Sequence, residues 1–281
     1  MQKALKKYAA FFTVPTLIAF AIAFLVPFIM GVFLSFTKFT TVTDARWVGL
    51  DNYVKAFTAS GDFLHSLLFS TEFTVISVVS VNLFAFALAL LLTKKIRGTN
   101  LFRTFFFMPN LIGGIVLGYI WQLIINGVLY NWGTTVNADA TYGFWGMAVM
   151  MNWQMIGYMM VIYIAGIQNV PEELMDAAEV DGATSWQRLR SVTIPMVMPS
   201  FTICFFMTLT NSFRLFDQNL ALTNGEPGKD SEMLALNIYH TFYGSTGFEG
   251  VGQAKAVIFF ILVTAVALIQ LRLTRAKEVE N

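Results

Sequence analysis

Val170-Pro171-Glu172-Glu173-Leu174-Met175-Asp176-Ala177-Ala178-Glu179-Val180-Asp181-Gly182-Ala183, running on to Ile194-Pro195, is a soluble-looking segment set between two long apolar runs. Pro171 suits the first position of a helix, and Glu172 and Glu173 follow where acids complement the positive end of the helix dipole. Gly182 offers the left-handed residue that a helix end needs. Thr184 and Gln187 have the spacing of a capping box, which predicts a second helix running to about Ile194. Residues 170–194 therefore read as helix, tight turn, helix. Leu174, Ala177, Ala178 and Asp181 share one face of the first helix, beside an acidic stripe of Glu172, Asp176 and Glu179. Small plus acidic reads as a docking surface, against the plainer alternative of a solvated connection.

The rest of the chain is suited to hydrocarbon. Of 281 residues, 56% are hydrophobic and 12% charged, with a mean hydropathy of +0.63. An ordinary soluble protein carries about twice that charge, so this is a bilayer protein. Charge-free windows of the length a membrane crossing requires fall near residues 10–36, 68–93, 104–125, 143–167, 196–214 and 254–273. The fold class expected is an all-α integral membrane protein with six transmembrane helices, the helical hairpin lying between the fourth and fifth. Pro15, Pro27 and Pro109 mark kinks or span ends, which membrane bundles tolerate. Lys3, Lys6 and Lys7 before an apolar run imitate a signal peptide, but the charge-free run from Tyr8 to Thr37 exceeds a cleavable core and reads as a retained span. No internal repeat or linker divides the chain, which reads as a single membrane domain over residues 1–281.

Basic residues predict the sidedness. The N-terminus, the loop after the second span, the hairpin and the C-terminal tail hold Lys3, Lys6, Lys7, Lys94, Lys95, Arg97, Arg103, Arg188, Arg190, Arg272, Arg275 and Lys277. The alternate loops hold few, so the positive-inside rule puts both termini and the hairpin in the cytoplasm. A net charge of +1 gives no electrostatic case for nucleic acid. Cys204 is the only cysteine, and His65 and His240 lie far apart, so neither a disulfide nor a metal framework is supported. Gly225-Glu226-Pro227-Gly228-Lys229-Asp230 hints at a phosphate loop but lacks the first glycine at the required spacing and has Asp230 where Ser or Thr would hold magnesium. It reads as a turn-rich exterior loop.

Polar groups inside the spans are the places to look for a path. No span centre carries a paired acid and base, the mark of an ion-coupled transporter. The fifth span offers Thr208, Thr210, Asn211 and Ser212, and the fourth offers Asn152, Gln154 and Tyr158 near Trp153. Hydroxyls and amides exchange hydrogen bonds with sugar hydroxyls, and aromatic faces cover the apolar face of a sugar ring. The same residues also serve as polar glue between helices, and the sequence leaves both readings open. Gly114-Ile115-Val116-Leu117-Gly118 is a GxxxG pattern read as close helix packing. Trp121, Trp132 and Trp145 read as part of an interfacial belt.

The hairpin resembles the EAA loop of ABC importer permeases, E-A-A-x-x-x-G followed by I-x-L-P. Here it stands as Asp176-Ala177-Ala178-x-x-x-Gly182 and then Ile194-Pro195, with Asp for the usual Glu and a compressed ending. Trp47-Val48-Gly49-Leu50-Asp51-Asn52-Tyr53, Phe105-Phe106-Phe107-Met108-Pro109, Phe216-Asp217-Gln218 and Leu222-Thr223-Asn224-Gly225-Glu226-Pro227 look like landmarks of the carbohydrate-uptake branch, which includes the maltose-permease-like subunits. The resemblance implies a permease subunit of an ATP-driven importer for a carbohydrate, an oligosaccharide, and no enzyme. It implies no cofactor on this chain, with ATP and magnesium held by partner subunits in a bacterial or archaeal cytoplasmic membrane. The implied partners are a second permease subunit, as a heterodimer, two cytoplasmic ATPase subunits and an extracytoplasmic sugar-binding protein. Glu173, Asp176, Ala177, Ala178, Asp181 and Gly182 would couple to the ATPase, and Gln154, Met155, Tyr158, Thr208, Asn211 and Ser212 fall on the family's substrate-pathway positions. The rival readings are a stand-alone secondary transporter or facilitator, and an importer of glycerol phosphate with the same architecture.

Overall fold

A computed structural model of the protein describes residues 2–58, 62–94, 97–244 and 246–276. Of the basic residues used for sidedness, Lys95 and Lys277 lie outside the described residues. Among the described residues, five helices are long and apolar enough to cross a bilayer: Phe11–Leu34, Asp62–Leu92, Gly114–Trp132, Ala140–Gln168 and Glu249–Arg275. The pair Ser185–Met196 and Met198–Phe213, bent by 69°, makes a sixth candidate when its two arms are counted as one broken span.

Several span ends differ from the sequence expectation: the second long helix starts at Asp62 instead of residue 68 and the last at Glu249 instead of 254, and the third and fifth crossings differ most. The third was expected to begin at Thr104; instead a short helix α5, Thr99–Phe107, ends in a tight turn over Met108–Leu111 and the crossing restarts at Gly114. Pro109 lacks the backbone N–H that would continue α5 and sits at the start of that turn. The fifth was expected from residue 196; the bend falls at Val197, whose ψ of 1° leaves the helical range just before Pro199. Pro171 is also corrected by one position, capping its helix with an extended ψ of 132° instead of opening it.

Contacts gather in two units, Met1–Phe63 with Ile238–Phe260, and Leu64–Asn237 with Ile261–Asn281. In the first, helix α1 (Gln2–Phe20, containing Pro15), a π-helical turn (Ala21–Leu25) and α2 (Val26–Leu34, with Pro27 in its first turn) follow one another without a break, and from Phe11 to Leu34 they form an apolar rod with mostly exposed side chains, suited to hydrocarbon. The loop expected after it holds a two-stranded antiparallel ribbon, Thr37 opposite Trp47 and Lys38 opposite Arg46, followed by α3, Asp51–Thr58. The Trp47 to Tyr53 stretch closes this corner: Trp47 stacks on Phe36 at 5.4 Å, and the buried Asn52 amide donates to the carbonyls of Ser35 and Thr37 at 2.9 and 2.8 Å.

The second unit is built on α7, Ala140–Gln168, which starts at Asp139. The Asp139 carboxylate accepts the Thr141 N–H at 2.7 Å, and the hydroxyl and backbone of Thr141 hold its pKa below the usual range. Glycine and methionine dominate the buried face of α7, among them Gly146, Met147, Met150, Met151, Met159 and Met160. Unbranched methionines fill the irregular gaps left by crossing helices. One polar clasp joins α4 (Asp62–Leu92), α7 and α11 (Met198–Phe213): the Tyr163 hydroxyl donates to Asn82 Oδ1 at 2.7 Å, and Asn82 Nδ2 donates to Thr208 Oγ1 at 3.2 Å. All three side chains are buried.

The GxxxG pattern lies on α6, Gly114–Leu129, and serves a short helix α12, Asp217–Leu222. A Cβ on Gly118 would stand 2.6 Å from Cβ of Ala221, and one on Gly114 2.7 Å from Cβ of Asp217. Only glycine permits this approach. Gly118→Leu should lower the thermal stability of the detergent-purified protein, with overpacking of about 1–3 kcal/mol. Adding Ala221→Gly should recover part of the loss; no change in the unfolding temperature with Gly118→Leu would contradict this packing.

Candidate functional site

Residues i, i+3, i+4 and i+7 of a helix share one stripe. On α7 that stripe is Met151, Gln154, Met155 and Tyr158, and on α11 it is Met207 and Asn211, continued by Arg214 just past the helix end. With Asn110 from the turn after α5, Leu215 and Gln218 of α12, these residues line a cavity of about 390 Å³, within the size range of small-molecule sites. Of the six expected pathway residues, four (Gln154, Met155, Tyr158 and Asn211) therefore meet around one space. Thr208 and Ser212 do not line it. They occupy the neighbouring stripe of α11 and turn inward: Thr208 Oγ1 donates to the Cys204 carbonyl at 2.8 Å and accepts from Asn82, while Ser212 Oγ donates to the Thr208 carbonyl at 2.7 Å. Asn152 likewise donates to Ser80 Oγ of α4 at 3.0 Å, and Trp153 packs edge-on against Trp121.

The cavity wall is ordered by amides. Gln218 Nε2 donates to Gln154 Oε1 at 3.0 Å, and Gln154 Nε2 donates to the Ile112 carbonyl at 3.2 Å. Asn211 Nδ2 donates to the Met207 carbonyl at 2.8 Å, which leaves its Oδ1 as an acceptor. Methionine and leucine side chains share the wall with these polar groups, so the surface offers both hydrogen-bonding and apolar contacts. That combination suits a guest that is itself polyhydroxylated at its edges and apolar on its faces.

Asn110, Met151, Met207, Arg214, Leu215 and Gln218 were not singled out from the sequence. The landmark runs gave a partial signal, since Gln218 closes Phe216-Asp217-Gln218 and Asn110 follows Met108-Pro109. Arg214 stood only as the end of a span.

The hairpin forms with the expected chemistry. Helix α8, Glu172–Val180, ends in a Schellman turn, with Gly182 at φ 77° and the N–H groups of Ala183 and Gly182 donating to the carbonyls of Ala178 and Glu179 at 2.9 and 3.0 Å. The Thr184 N–H then donates to Gln187 Oε1 at 2.7 Å, completing the box that opens α9, Ser185–Arg188. Beyond α9 a π-helical turn, Leu189–Thr193, and α10, Ile194–Met196, carry the chain to the bend at Val197. Glu173, Asp176, Ala177, Asp181 and Gly182 are exposed, and Ala178 is half-buried. The hairpin also exposes large apolar groups, Val180 at 87% and Trp186 at 66%.

The family described as "Binding-protein-dependent transport system inner membrane component" matches residues 82–279. "Probable starch degradation products transport system permease protein AmyD" of Thermoanaerobacterium thermosulfurigenes is 43% identical, over 96% of this chain and 94% of its own. "Multiple sugar-binding transport system permease protein MsmF" of Streptococcus mutans is 30% identical over 99% of each. In fold, the chain is similar to a subunit of a bacterial ABC transporter involved in import of the acidic polysaccharide alginate, with a TM-score of 0.81, 18% identity and 98% of each chain covered.

The packing stripe of α11 and the cavity stripe of α7 should separate in experiment. Thr208→Val removes an acceptor from buried Asn82 and should lower thermal stability by about 1 kcal/mol, with the sugar preference of transport unchanged. Gln154→Ala should do the opposite, changing uptake with little effect on stability. A selective uptake defect in Thr208→Val would put that residue in the path.

Proposed function

We propose that this chain, which belongs to the family of binding-protein-dependent transport system inner membrane components, is the permease subunit of an ATP-driven importer of oligosaccharides, with starch-derived malto-oligosaccharides as the first substrates to test. The single observation that carries this reading is the cavity of about 390 Å³ walled by Gln154, Tyr158, Asn211 and Gln218 in a membrane permease. A starch-product permease as a 43% identical relative supports the substrate class.

Substrate released by an extracytoplasmic binding protein enters between this chain and a second permease, and the cavity forms this chain's share of the path. Tyr158 presents a ring face and a hydroxyl, the amides exchange hydrogen bonds with sugar hydroxyls, and the methionines adapt to ring faces. None of these contacts needs a cofactor. ATP is bound and hydrolysed by two separate cytoplasmic subunits. Their motion reaches the spans through the hairpin, whose two helices connect directly to α7 and, through the bend at Val197, to α11. The charge asymmetry of the loops supports a cytoplasmic hairpin and cytoplasmic termini. Glu173, Asp176, Ala177, Ala178, Asp181 and Gly182 form the acidic and small part of the coupling surface, and Val180 and Trp186 supply its apolar anchors, as buried aromatic residues do at the centres of interfaces.

The test is the whole complex, purified through a tag on this chain and reconstituted with its binding protein. Uptake of malto-oligosaccharides should require ATP on the hairpin side. Val180→Asp and Trp186→Ala should each reduce the co-purified ATPase by about tenfold or more, the size of a hot-spot loss, with membrane abundance near normal. Uptake that proceeds without ATP, or ATPase recovered in full from both variants, would overturn the reading in favour of a stand-alone facilitator.

A further inference from the structure

Among the described residues that line the cavity, Arg214 is the only one whose side chain is charged at neutral pH. It forms no ion pair or side-chain hydrogen bond among the described residues, and no carboxylate belongs to the cavity wall. The nearby acid in sequence, Asp217, sits instead with its Cβ against Gly114. Arg214 also follows the last residue of α11, where the carbonyl end of a helix favours a cation. This chain's share of the cavity wall is therefore net positive, and the exposed Arg214 has its hydrogen-bonding capacity to spare among the described residues. A guanidinium offers five donors in a fixed fork and accepts nothing, so it matches paired hydroxyl oxygens or a carboxylate and opposes an ammonium group.

Resting on the reading of this cavity as the oligosaccharide path, we propose that Arg214 makes it a charge-selective filter. Oligosaccharides that present hydroxyl or carboxylate oxygens to Arg214 are accepted, and those that present an amine are rejected. The selection acts on the ring held between the stripe of α7 and that of α11, whatever the delivering protein has already chosen.

The test is equilibrium displacement of labelled maltotriose from the complete complex in nanodiscs, without binding protein. Three competitors are compared: maltotriose itself, its analogue oxidised to a carboxylate at terminal C6, and its 6-amino-6-deoxy analogue. In the wild type the carboxylate should compete at least as well as maltotriose, and the amine about tenfold less well, a gap reduced from the bare Coulomb value by the solvent in the cavity. High salt should compress that gap. Arg214→Gln should weaken maltotriose itself and erase the difference between the two charged analogues; Arg214→Lys should retain it, and Arg214→Glu should reverse it. Equal competition by all three in the wild type, or an order that Arg214→Gln leaves intact, would overturn the filter while leaving the cavity as the path. Failure of unmodified maltotriose to bind the wild-type complex would overturn the path itself. The wild-type comparison and its salt dependence decide the matter even where a variant fails to assemble.

Discussion

An amide in the middle of a membrane span has no water to turn to, and the core of this protein is arranged around that demand. Asn82 sits within α4 and uses both ends of its side chain, accepting from Tyr163 of α7 and donating to Thr208 of α11 as well as to the carbonyl of Val78. Leaving such a group unpaired in hydrocarbon costs several kcal/mol, so the clasp sets the rotation of three helices about their axes. Once α7 and α11 are so turned, the stripes one step further round, Gln154 with Tyr158 and Asn211 with Arg214, have to converge. The cavity follows from the packing that excludes Thr208 and Ser212 from it.

Much of this was legible in the residues. Each charge-free window overlaps one of the five long apolar helices or the bent pair, and the hairpin was readable in detail because caps are local chemistry: Gly182 for the left-handed turn, Thr184 and Gln187 for the box. Span ends were harder. Pro109 announced a break, but the sequence did not say that an entire short helix precedes it, and Pro195 and Pro199 flank Val197 without saying which residue would take the bend. The site was half readable for a geometric reason. Thr208, Asn211 and Ser212 are each polar and lie within five residues, but successive positions on a helix differ by about 100° in direction. The phase that separates packing from lining is set by Asn82 and Tyr163, far away in sequence. Arg214 was hidden by its position, since a basic residue at a span end reads first as a boundary.

The hairpin and the cavity share the same two helices. A Schellman turn and a capping box back to back leave little slack between α8 and α9, and the salt bridge from Arg188 to Glu179 at 2.6 Å closes the same corner. That surface pair adds little energy by itself. Its geometry, together with the caps, makes the hairpin a stiff lever, and the proposed coupling needs stiffness more than affinity. A rigid-body displacement applied at Val180 and Trp186 would be passed on to α7 and α11, whose facing stripes form the cavity wall.

The central claim is that the face of α11 carrying Asn211 lines the path and the face carrying Ser212 does not. Single cysteines at these adjacent positions test it in the assembled complex, since the native Cys204 is buried. The account predicts that Asn211→Cys reacts with a small water-soluble thiol reagent and is protected by malto-oligosaccharide, whereas Ser212→Cys stays unreactive with or without sugar. Sugar-protected labelling at Ser212 with none at Asn211 would contradict it.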